Sequence, residues 1–300
     1  MFELSASSLP KIVVTGASGF LGAHLCQLLS RDYDVVAVSH SQPLPESLAS
    51  FRVRMDLSDR PLVEAMLDNM RPVALIHAAA LADPNTCERE PERSLALNVE
   101  VTRQLARSCA ARNIKLVFTS TDLVFDGRQG HYAETDPVNP ICIYGEHKAL
   151  AEELVRELHP SSVIVRLPWM FGPGLIKTSA LQSWCGQLRQ GEKIRAFNDE
   201  YRSAVSYTVA AGGILQCLLQ TQAETLHLGG IETVTRYHLL HRLAGLLGID
   251  EEQVEAQSQR DVIMPARRPP DASLDSRKAR SLGYKTPFLT DMLKQALSVL

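Results

Sequence analysis

The sequence lacks the features that mark several large classes of protein. Its 31 Lys and Arg residues stand against 34 Asp and Glu, a formal charge of −3, without a basic block. Nucleic-acid binding needs clustered Lys and Arg, so we expect no nucleic-acid partner. The apolar stretch at 209–219 is far shorter than the ~20 residues of a membrane span. The first ten residues carry no secretory signal, so the sequence predicts a cytoplasmic protein without a membrane partner.

Cysteine is also sparse and unpatterned. Six cysteines are scattered along the chain without a C-x-x-C pair or a histidine at ligand spacing. A structural zinc site or a disulfide framework would need closer spacing. We therefore expect reduced thiols packed as small hydrophobic side chains, and no metal site.

The chain does contain enough apolar residues for a large core. Of 300 residues, 45% are hydrophobic and 22% are charged. Short β-branched runs predict strands at 11–15, 34–38, 52–55, 73–77, 115–118 and 162–166, with helical patterns between most of them. This alternation predicts an α/β fold of the doubly wound type, in which helices cover both faces of a parallel sheet.

After Pro168 the pattern loosens. Helices are predicted near 176–190, 207–220, 235–247 and 288–300, and short strands at 194–197 and 225–228. We expect residues 1–168 to form a dinucleotide-binding Rossmann domain. Residues 169–300 are expected to form mainly a smaller mixed α/β substrate lobe, with part of 205–230 packing back on the first domain.

A glycine-rich segment, TGASGFLG at 15–22, joins the first strand to the first helix. Glycines at such a junction permit a tight turn and close approach of a pyrophosphate, which the helix N-terminus then binds. The alternative is a turn that merely needs glycine. The position between strand and helix favours a dinucleotide site made by Gly16, Ser18, Gly19, Phe20, Leu21 and Gly22.

The end of the second strand distinguishes the two nicotinamide cofactors. An acid there would hold the ribose 2′-hydroxyl of NAD(H), but the sequence reads Ser39-His40-Ser41. Hydroxyl and imidazole groups can donate to a 2′-phosphate, and Arg52 and Arg54 follow closely. We therefore predict NADP(H) in preference to NAD(H).

Two further segments are predicted to line the cofactor. Asp56 and Leu57 follow the third strand, where Asp56 can accept from the adenine amino group. Its alternative role is to cap the next helix, although Ser58 or Asp59 would serve equally well. The run Ala78-Ala79-Ala80 follows the fourth strand and keeps side chains small beside the cofactor.

The chemistry is predicted from a tyrosine and a lysine four residues apart, Tyr144 and Lys148. This spacing puts both side chains on one helical face. The lysine, the nicotinamide charge and a helix N-terminus together are expected to lower the tyrosine pKa toward about 7, so that Tyr144 can protonate a carbonyl oxygen. Thr121 ends the fifth strand and completes a triad; its alternative role is to cap the next turn.

The order of these motifs resembles the extended short-chain dehydrogenases/reductases, in particular the dTDP-4-dehydrorhamnose reductase family, which includes the methionine adenosyltransferase regulatory subunit. The resemblance runs through 15–22, 77–91, 120–127, 134–148, 166–169 and 268–275. It implies that Thr121 polarises the substrate carbonyl, that Tyr144 donates the proton, and that Lys148 holds the nicotinamide ribose. Pro168 is included among the cofactor contacts, and Trp169 is placed against the sugar.

Two departures from the family pattern fall in the substrate region. Leu123 stands where the family usually has Tyr, and Leu175-Ile176 where it usually has Asn-Phe. Leu123 also argues against a 4,6-dehydratase, which has a proton-transferring Glu at that position. Arg202 and Arg268 are predicted substrate-phosphate contacts, because Arg offers bidentate donors; a solvated charged loop is the alternative.

These observations predict an NAD(P)H-dependent oxidoreductase that reduces a keto sugar, with a 4-keto-6-deoxy nucleotide sugar as its small-molecule substrate. The first alternative is a non-catalytic NADP-binding regulatory subunit, which the altered substrate pocket favours. The second is a nucleotide-sugar epimerase that retains NAD. A homodimer is compatible with all three.

Overall fold

A computed structural model describes residues 9–220 and 222–300. The strands are β1 Lys11–Thr15, β2 Asp34–Ser39, β3 Phe51–Arg54, β4 Ala74–His77, β5 Lys115–Thr121, β6 Val163–Leu167, β7 Met170–Phe171, β8 Ile194–Phe197, β9 Val205–Ser206, β10 Glu224–His227 and β11 Val254–Gln257. The helices are α1 Phe20–Leu29, α2 Arg60–Met70, α3 Pro84–Arg89, α4 Pro91–Leu95, α5 Val101–Ala111, α6 Ile143–Leu158, α7 Ala180–Arg189, α8 Tyr207–Leu219, α9 Arg236–Leu247, α10 Arg277–Ser281 and α11 Leu289–Leu297.

Seven strands form one parallel sheet in the order β10-β6-β5-β4-β1-β2-β3. The chain adds β2 on one side of β1 and β4 on the other. The connections that follow β1 and β4 therefore diverge, and open α/β sheets bind ligands in the crevice at such a point. The predicted doubly wound parallel fold is confirmed.

Two hydrophobic layers cover the sheet. The alternation of side chains along β1 sends Ile12 and Val14 into one layer and Val13 into the other. The first layer includes Leu25 of α1 and Ile214 of α8, and it continues without a break into the helices after residue 169. The second layer lies under α2, α5 and α6. The N-terminal and C-terminal halves of the chain thus contribute to one hydrophobic core.

Strand β10 comes late in the chain and lies at the edge of the central sheet. It pairs with β6, with His227 in register with Arg166. Helix α8, which precedes it, packs on α1. The boundary at residue 168 stays a prediction, because later segments return to the sheet.

The rest of the C-terminal half, residues 169–300, contains two short parallel pairs, β7 with β9 and β8 with β11. Its last loop is tied to the segment that follows β5. Tyr132 bridges to Leu274, and the Asp271 N–H donates to the Gly127 carbonyl oxygen at 3.2 Å. This contact places the late loop over the end of β5.

The six cysteines are free and buried. Burial raises the pKa of Cys26 and of Cys109 to about 12, so both thiols are protonated at neutral pH. Between residues 9 and 300, leaving aside residue 221, no helix combines the length and the apolar character needed to cross a membrane.

Candidate active site

The glycine-rich segment turns from β1 into α1 at the crevice. Gly16 has a φ of +69°, and a methyl group on it would lie 2.7 Å from the Ala79 nitrogen. A methyl group on Gly22 would overlap the Gly16 carbonyl oxygen. The N-cap of α1 is Gly19, which has no side chain to occupy the first amides of the helix. The loop therefore has the close packing and the helix N-terminus of an anion site.

The other predicted residues of the loop are held by the protein interior. Leu21 is buried, and Ser18 is half-buried. The Phe20 ring stacks on Tyr207, with 5.3 Å between the centroids. The Lys177 nitrogen lies 4.8 Å from the centroid of the same ring. The C-terminal half thus supports the first turn of α1 and brings a cation to it.

Exposed donors surround the end of β2. His40 and Ser41 are exposed, whereas the buried Ser39 hydroxyl donates to the Gln42 carbonyl oxygen at 2.9 Å. Arg54, also exposed, is the register partner of Ser39 on β3. The predicted group of residues is therefore together here, with Arg54 as the nearby arginine.

Asp56 folds onto the start of the next loop. It accepts the N–H and the hydroxyl of Ser58 at 2.9 and 2.8 Å, and these hydrogen bonds lower its pKa. Its second oxygen lies 3.8 Å from the His40 Nε2. The cap of α2 is Asp59, so the helix-capping alternative does not apply to Asp56. Leu57 is half-buried beside it.

The alanines after β4 are anchored by Thr15 at the end of β1. The Thr15 hydroxyl accepts the N–H groups of Ala78 and Ala79 at 3.2 and 3.3 Å. It also lies 2.8 Å from the His77 Nδ1, and burial lowers the pKa of this histidine to about 3. Ala80 is exposed. Small side chains thus form the second wall of the crevice, against the glycine-rich loop.

The structure brings Thr121, Tyr144 and Lys148 together where β5 meets α6, and all three are buried. Thr121 ends β5; its hydroxyl accepts the Leu123 N–H at 3.2 Å and donates to the Asp122 Oδ1 at 3.1 Å. Tyr144 lies in the first turn of α6, and Lys148 follows one turn later. Thr121 therefore caps the turn that follows β5, and its place in a triad stays a prediction.

Gly145 allows α6 to approach the loop that follows β5. A methyl group at this position would overlap the Leu123 carbonyl oxygen. The Glu88 carboxylate accepts the Ile143 N–H at 2.9 Å and so fixes the start of the same helix. These two contacts set the position of Tyr144.

The pKa of Tyr144 moves in the direction opposite to the expected one. Burial raises it, Cys87, Asp122 and Cys142 raise it further, and only a hydrogen bond with Thr121 lowers it. The groups of the protein therefore keep the phenol protonated at neutral pH. The lysine, a helix N-terminus and the nicotinamide charge are the three contributions expected to lower this pKa. The nicotinamide charge belongs to the cofactor and not to the chain.

Lys148 is buried, although burial disfavours a charged ammonium group. Its nitrogen lies 3.9 Å from the centroid of the Phe118 ring. Burial lowers the pKa of Lys148 to about 7, and Glu152 acts in the opposite direction. The ammonium is thus close to its titration point near neutral pH.

Arg202 is engaged inside the protein. Its Nε lies 3.2 Å from the Asp122 Oδ2, and its Nη2 donates to Glu200 at 2.9 Å. Its Nη1 donates to the carbonyl oxygens of Tyr201 and Pro269 at 2.6 and 3.0 Å. Burial raises the pKa of Asp122 to about 6, against the effect of Arg202. Arg202 therefore has internal partners in place of the free guanidinium that a phosphate contact requires.

Pro168 and Trp169 lead from β6 into the C-terminal half. Pro168 is buried, and Trp169 is half-buried with its ring centroid 5.9 Å from that of Trp184. The Arg236 guanidinium lies 5.1 Å from the centroid of the Trp169 ring. The Trp169 ring thus makes a cation–π contact with Arg236.

Arg236 is a candidate that the sequence analysis missed, because nothing in its local sequence marks it. Burial lowers its pKa, Glu200 acts in the opposite direction, and Arg202 and Arg268 lower it further. The Arg236 Nε and the Arg268 Nη1 are buried without a hydrogen-bond partner in the described chain. Buried donors are normally satisfied, so these two groups favour an anionic ligand between them.

Leu123 lies in a small apolar cluster beside the triad. The cluster also contains Tyr144, Cys87, Cys142 and Ala266. It forms an apolar wall next to the phenol. Of the other departure from the family pattern, Leu175 is exposed and Ile176 packs partly buried against the main core.

Known proteins resemble the chain over its whole described length. Residues 10–300 match the family described as RmlD substrate binding domain. A dTDP-4-dehydrorhamnose reductase of Aggregatibacter actinomycetemcomitans is 34% identical over 165 residues, which are 54% of this chain and 52% of that protein. A probable low-salt glycan biosynthesis reductase of Haloferax volcanii is 30% identical over 93% of this chain and 95% of that protein. The beta subunit of methionine adenosyltransferase 2 of Danio rerio is 26% identical over 93% and 87%.

Solved structures also resemble the chain. A hypothetical dTDP-4-dehydrorhamnose reductase of Sulfolobus tokodaii is 32% identical, with a TM-score of 0.81 over 93% of this chain and 98% of that one. A dTDP-4-dehydrorhamnose reductase of Bacillus anthracis, solved in complex with NADP, shares the fold at 22% identity, with a TM-score of 0.87 over 97% and 100%. The motif-based prediction is confirmed: the chain belongs to the RmlD substrate binding domain family of the extended short-chain dehydrogenases/reductases.

Proposed function

We propose that this chain is an NADP(H)-preferring reductase of a 4-keto-6-deoxy nucleotide sugar. The observation that carries the proposal is the meeting of Thr121, Tyr144 and Lys148, all buried, where β5 meets the start of α6. Relatives named as dTDP-4-dehydrorhamnose reductases support it.

The crevice fits a dinucleotide. Gly16 and Gly22 let the loop pack tightly against Ala79 and against α1, and the free start of α1 suits a pyrophosphate. His40, Ser41 and Arg54 would hold a 2′-phosphate, which favours NADP(H), with NAD(H) as the alternative. The cofactor, when bound, supplies the hydride for the carbonyl carbon.

The triad supplies the proton that the carbonyl oxygen takes up. Tyr144 is protonated at neutral pH, which is the form that a general acid needs. Thr121 is held at the strand end by the Leu123 amide; when a ketone binds, its single hydroxyl proton would turn from Asp122 to the carbonyl oxygen. Lys148 places a positive charge one turn from the phenolate that remains and can also reach the cofactor ribose.

The substrate side supports a nucleotide sugar. Arg236 and Arg268 would bind its diphosphate through their unpartnered N–H groups, and Trp169 would support the sugar ring. The apolar wall that contains Leu123 suits a methyl group in place of a hydroxymethyl. Arg202 acts on this site through Asp122 and not as a phosphate contact.

The test is NADPH oxidation with a panel of 4-keto-6-deoxy nucleotide sugars. Tyr144→Phe should lower kcat by about 10²- to 10⁴-fold, because it removes the proton donor, and it should leave NADPH binding intact. Tyr33→Phe, a change in a half-buried tyrosine just before β2, is the matched control. Unchanged turnover in Tyr144→Phe would refute the proposal.

A regulatory subunit is the second candidate, because relatives named as the beta subunit of methionine adenosyltransferase 2 match along most of the chain and Leu123 departs from the family pattern. It predicts tight NADPH binding, no turnover with any keto sugar, and one stoichiometric protein partner. Rapid turnover without a partner would exclude it. An epimerase would give product without net NADPH consumption.

A further inference from the structure

One lysine of the C-terminal half lies over the glycine-rich loop without an acidic partner. The Lys177 nitrogen is 4.8 Å from the centroid of the Phe20 ring, and Phe20 is the first residue of α1. Lys177 is exposed, and within residues 9–220 and 222–300 it forms no ion pair with a carboxylate. A ring face holds an ammonium only weakly at an exposed position. The charge of Lys177 is therefore available to an anion.

The chain just before Lys177 is fixed against α1. The Pro173 carbonyl oxygen lies 2.9 Å from the His24 Nε2. A methyl group on Gly174 would lie 3.1 Å from the Phe20 ring and would overlap the Lys177 carbonyl oxygen. The backbone that carries the lysine thus packs closely on the first turns of this helix.

Helix α7 holds the same segment from its other side. The Gln182 side-chain oxygen accepts the N–H groups of Gly174 and Ser179, both at 2.9 Å. The Ser179 hydroxyl oxygen in turn accepts the Gln182 N–H at 3.3 Å and caps α7. The backbone around Lys177 is therefore anchored at two helices, whereas its side chain has a flexible four-carbon stem. The ammonium can move while the loop stays in place.

The glycine-rich loop supplies amide groups but no positive side chain. Residues 15–22 contain neither Lys nor Arg, and the N-cap Gly19 has no side chain at all. A helix N-terminus is equivalent to about half a positive charge. A pyrophosphate carries a negative charge on each phosphate, so the start of α1 compensates only part of it. A cation beside this turn would complete the charge balance.

The other cations near the crevice face different parts of the ligands. His40 and Arg54 lie at the ends of β2 and β3, where a 2′-phosphate would bind. Arg236 and Arg268 carry the buried, unpartnered N–H groups of the substrate side. Lys177 is the cation that the structure places at the first residue of α1.

We propose that Lys177 is a cofactor-binding residue whose ammonium binds the pyrophosphate at the start of α1, in place of the Phe20 ring. Through it, the half of the chain that carries the substrate side also holds the cofactor. The inference rests on the proposed function only for NADP(H) as the cofactor. The diphosphate of a nucleotide sugar has the same chemistry, so the test must separate the two ligands.

Lys177→Met tests the proposal, because methionine keeps an apolar stem against Phe20 and loses the charge. The Kd for NADPH, measured by fluorescence titration of the full chain without a sugar, should rise about tenfold at low salt. The difference from the wild-type chain should shrink as salt is added, because salt screens exposed charges. Lys177→Arg should keep the wild-type Kd. Lys294→Met removes an exposed lysine of α11 and is the matched control.

Two further ligands locate the effect. Adenosine 2′-monophosphate lacks the pyrophosphate, and thymidine diphosphate carries the diphosphate of a nucleotide sugar. Lys177→Met should leave the Kd of both unchanged. An unchanged Kd for NADPH, an equal loss for adenosine 2′-monophosphate, or a larger loss for thymidine diphosphate would overturn the proposal. Because these titrations need no sugar, a chain that reduces no keto sugar would refute the proposed function and leave this test in force.

Discussion

The nucleotide side and the substrate side of the site are built from different chemical groups. The nucleotide side is mainly backbone: Gly16 lies against the alanine loop, Gly22 lies against Gly16, and α1 begins without a side-chain cap. The substrate side is mainly charged side chains, with Arg236 over Trp169 and Arg268 nearby. In the proposed function, the first holds the pyrophosphate of the cofactor and the second selects what is reduced.

On the substrate side, Arg202 and Arg236 differ in whether the protein supplies partners for their N–H groups. Both are arginines close to Glu200, and the charge of Arg202 lowers the pKa of Arg236. Arg202 is 4% exposed and has internal partners for its Nε and both terminal nitrogens, whereas the Arg236 Nε has none in the described chain. We therefore expect Arg202 to stabilise the fold and Arg236 to bind the substrate.

The largest effect should come from Arg202→Gln. Removing one partner leaves the Asp122 carboxylate buried and unpaired, which should lower the free energy of unfolding by about 3–5 kcal/mol. Urea denaturation measures it, with the exposed Arg267→Gln as the control. Adding Asp122→Asn to the same chain should recover part of the loss. A stable Arg202→Gln protein with a raised KM would reverse the roles assigned to the two arginines.

Arg236→Gln should act on binding. Loss of a charged hydrogen bond of about 2–3 kcal/mol corresponds to a KM for the nucleotide sugar about 30- to 150-fold higher. The unfolding midpoint and the Kd for NADPH should change little. Steady-state kinetics with the nucleotide sugar and with its sugar lacking the nucleotide provide the check, since only the first should lose affinity.

Gly22→Ala should disturb the nucleotide side. The added methyl group meets the Gly16 carbonyl oxygen, a backbone atom, so we expect about 1–3 kcal/mol of destabilisation. NADPH affinity, measured by fluorescence titration, should fall at least about tenfold. Gly186→Ala in α7, where no atom lies within 4 Å of the added group, should be neutral or slightly stabilising. Equal behaviour of the two variants would contradict the packing described for the loop.

The last effect is a loss of stability in acid. His77 and His227 are neutral in the folded chain, with pKa values lowered to about 3, and both bind protons when unfolded. Stability is therefore complete above the unfolded value of about 6.5 and falls as the pH decreases, by about 2 kcal/mol per histidine at pH 5. Asp122, with its pKa raised to about 6, works in the opposite direction by about 1 kcal/mol. Urea midpoints at pH 7.5 and 5 test this.

Control variants sharpen the acid prediction. His77→Gln, on the nucleotide side, should reduce the pH dependence of the free energy of unfolding. His227→Gln, in the edge strand β10, should reduce it as well. His40→Gln, at an exposed position, should leave it unchanged. A pH dependence that survives both buried substitutions would show that other groups govern the acid transition.

Much of the nucleotide side could be predicted from the sequence. The β1 run, the glycine spacing and the Tyr144–Lys148 spacing each impose local geometry: β1 leads through the glycine turn into α1, and Tyr144 and Lys148 lie one turn apart on α6. A turn that needs glycine and a one-turn helical spacing are set by residues close in the chain. The doubly wound sheet followed from the same local patterns.

The substrate side was harder to predict because distant segments decide where its side chains point. Arg202 is turned inward by Asp122, which is 80 residues away along the chain, and by the Pro269 carbonyl oxygen. Arg236 owes its place to Trp169 from another element. The tyrosine pKa was predicted in the wrong direction for the protein's own groups, since burial of the phenol depends on how α3, α6 and the late loop pack together.

The most direct measurement of the central claim is transfer of deuterium from the C4 position of labelled NADPH to a 4-keto-6-deoxy nucleotide sugar. The account predicts one deuterium at the former carbonyl carbon of the product, formed by the wild-type chain and by Tyr33→Phe. Tyr144→Phe should form it about 10²- to 10⁴-fold more slowly. Tight NADPH binding with no labelled product from any sugar of the panel, or equal labelling by Tyr144→Phe, would contradict the account.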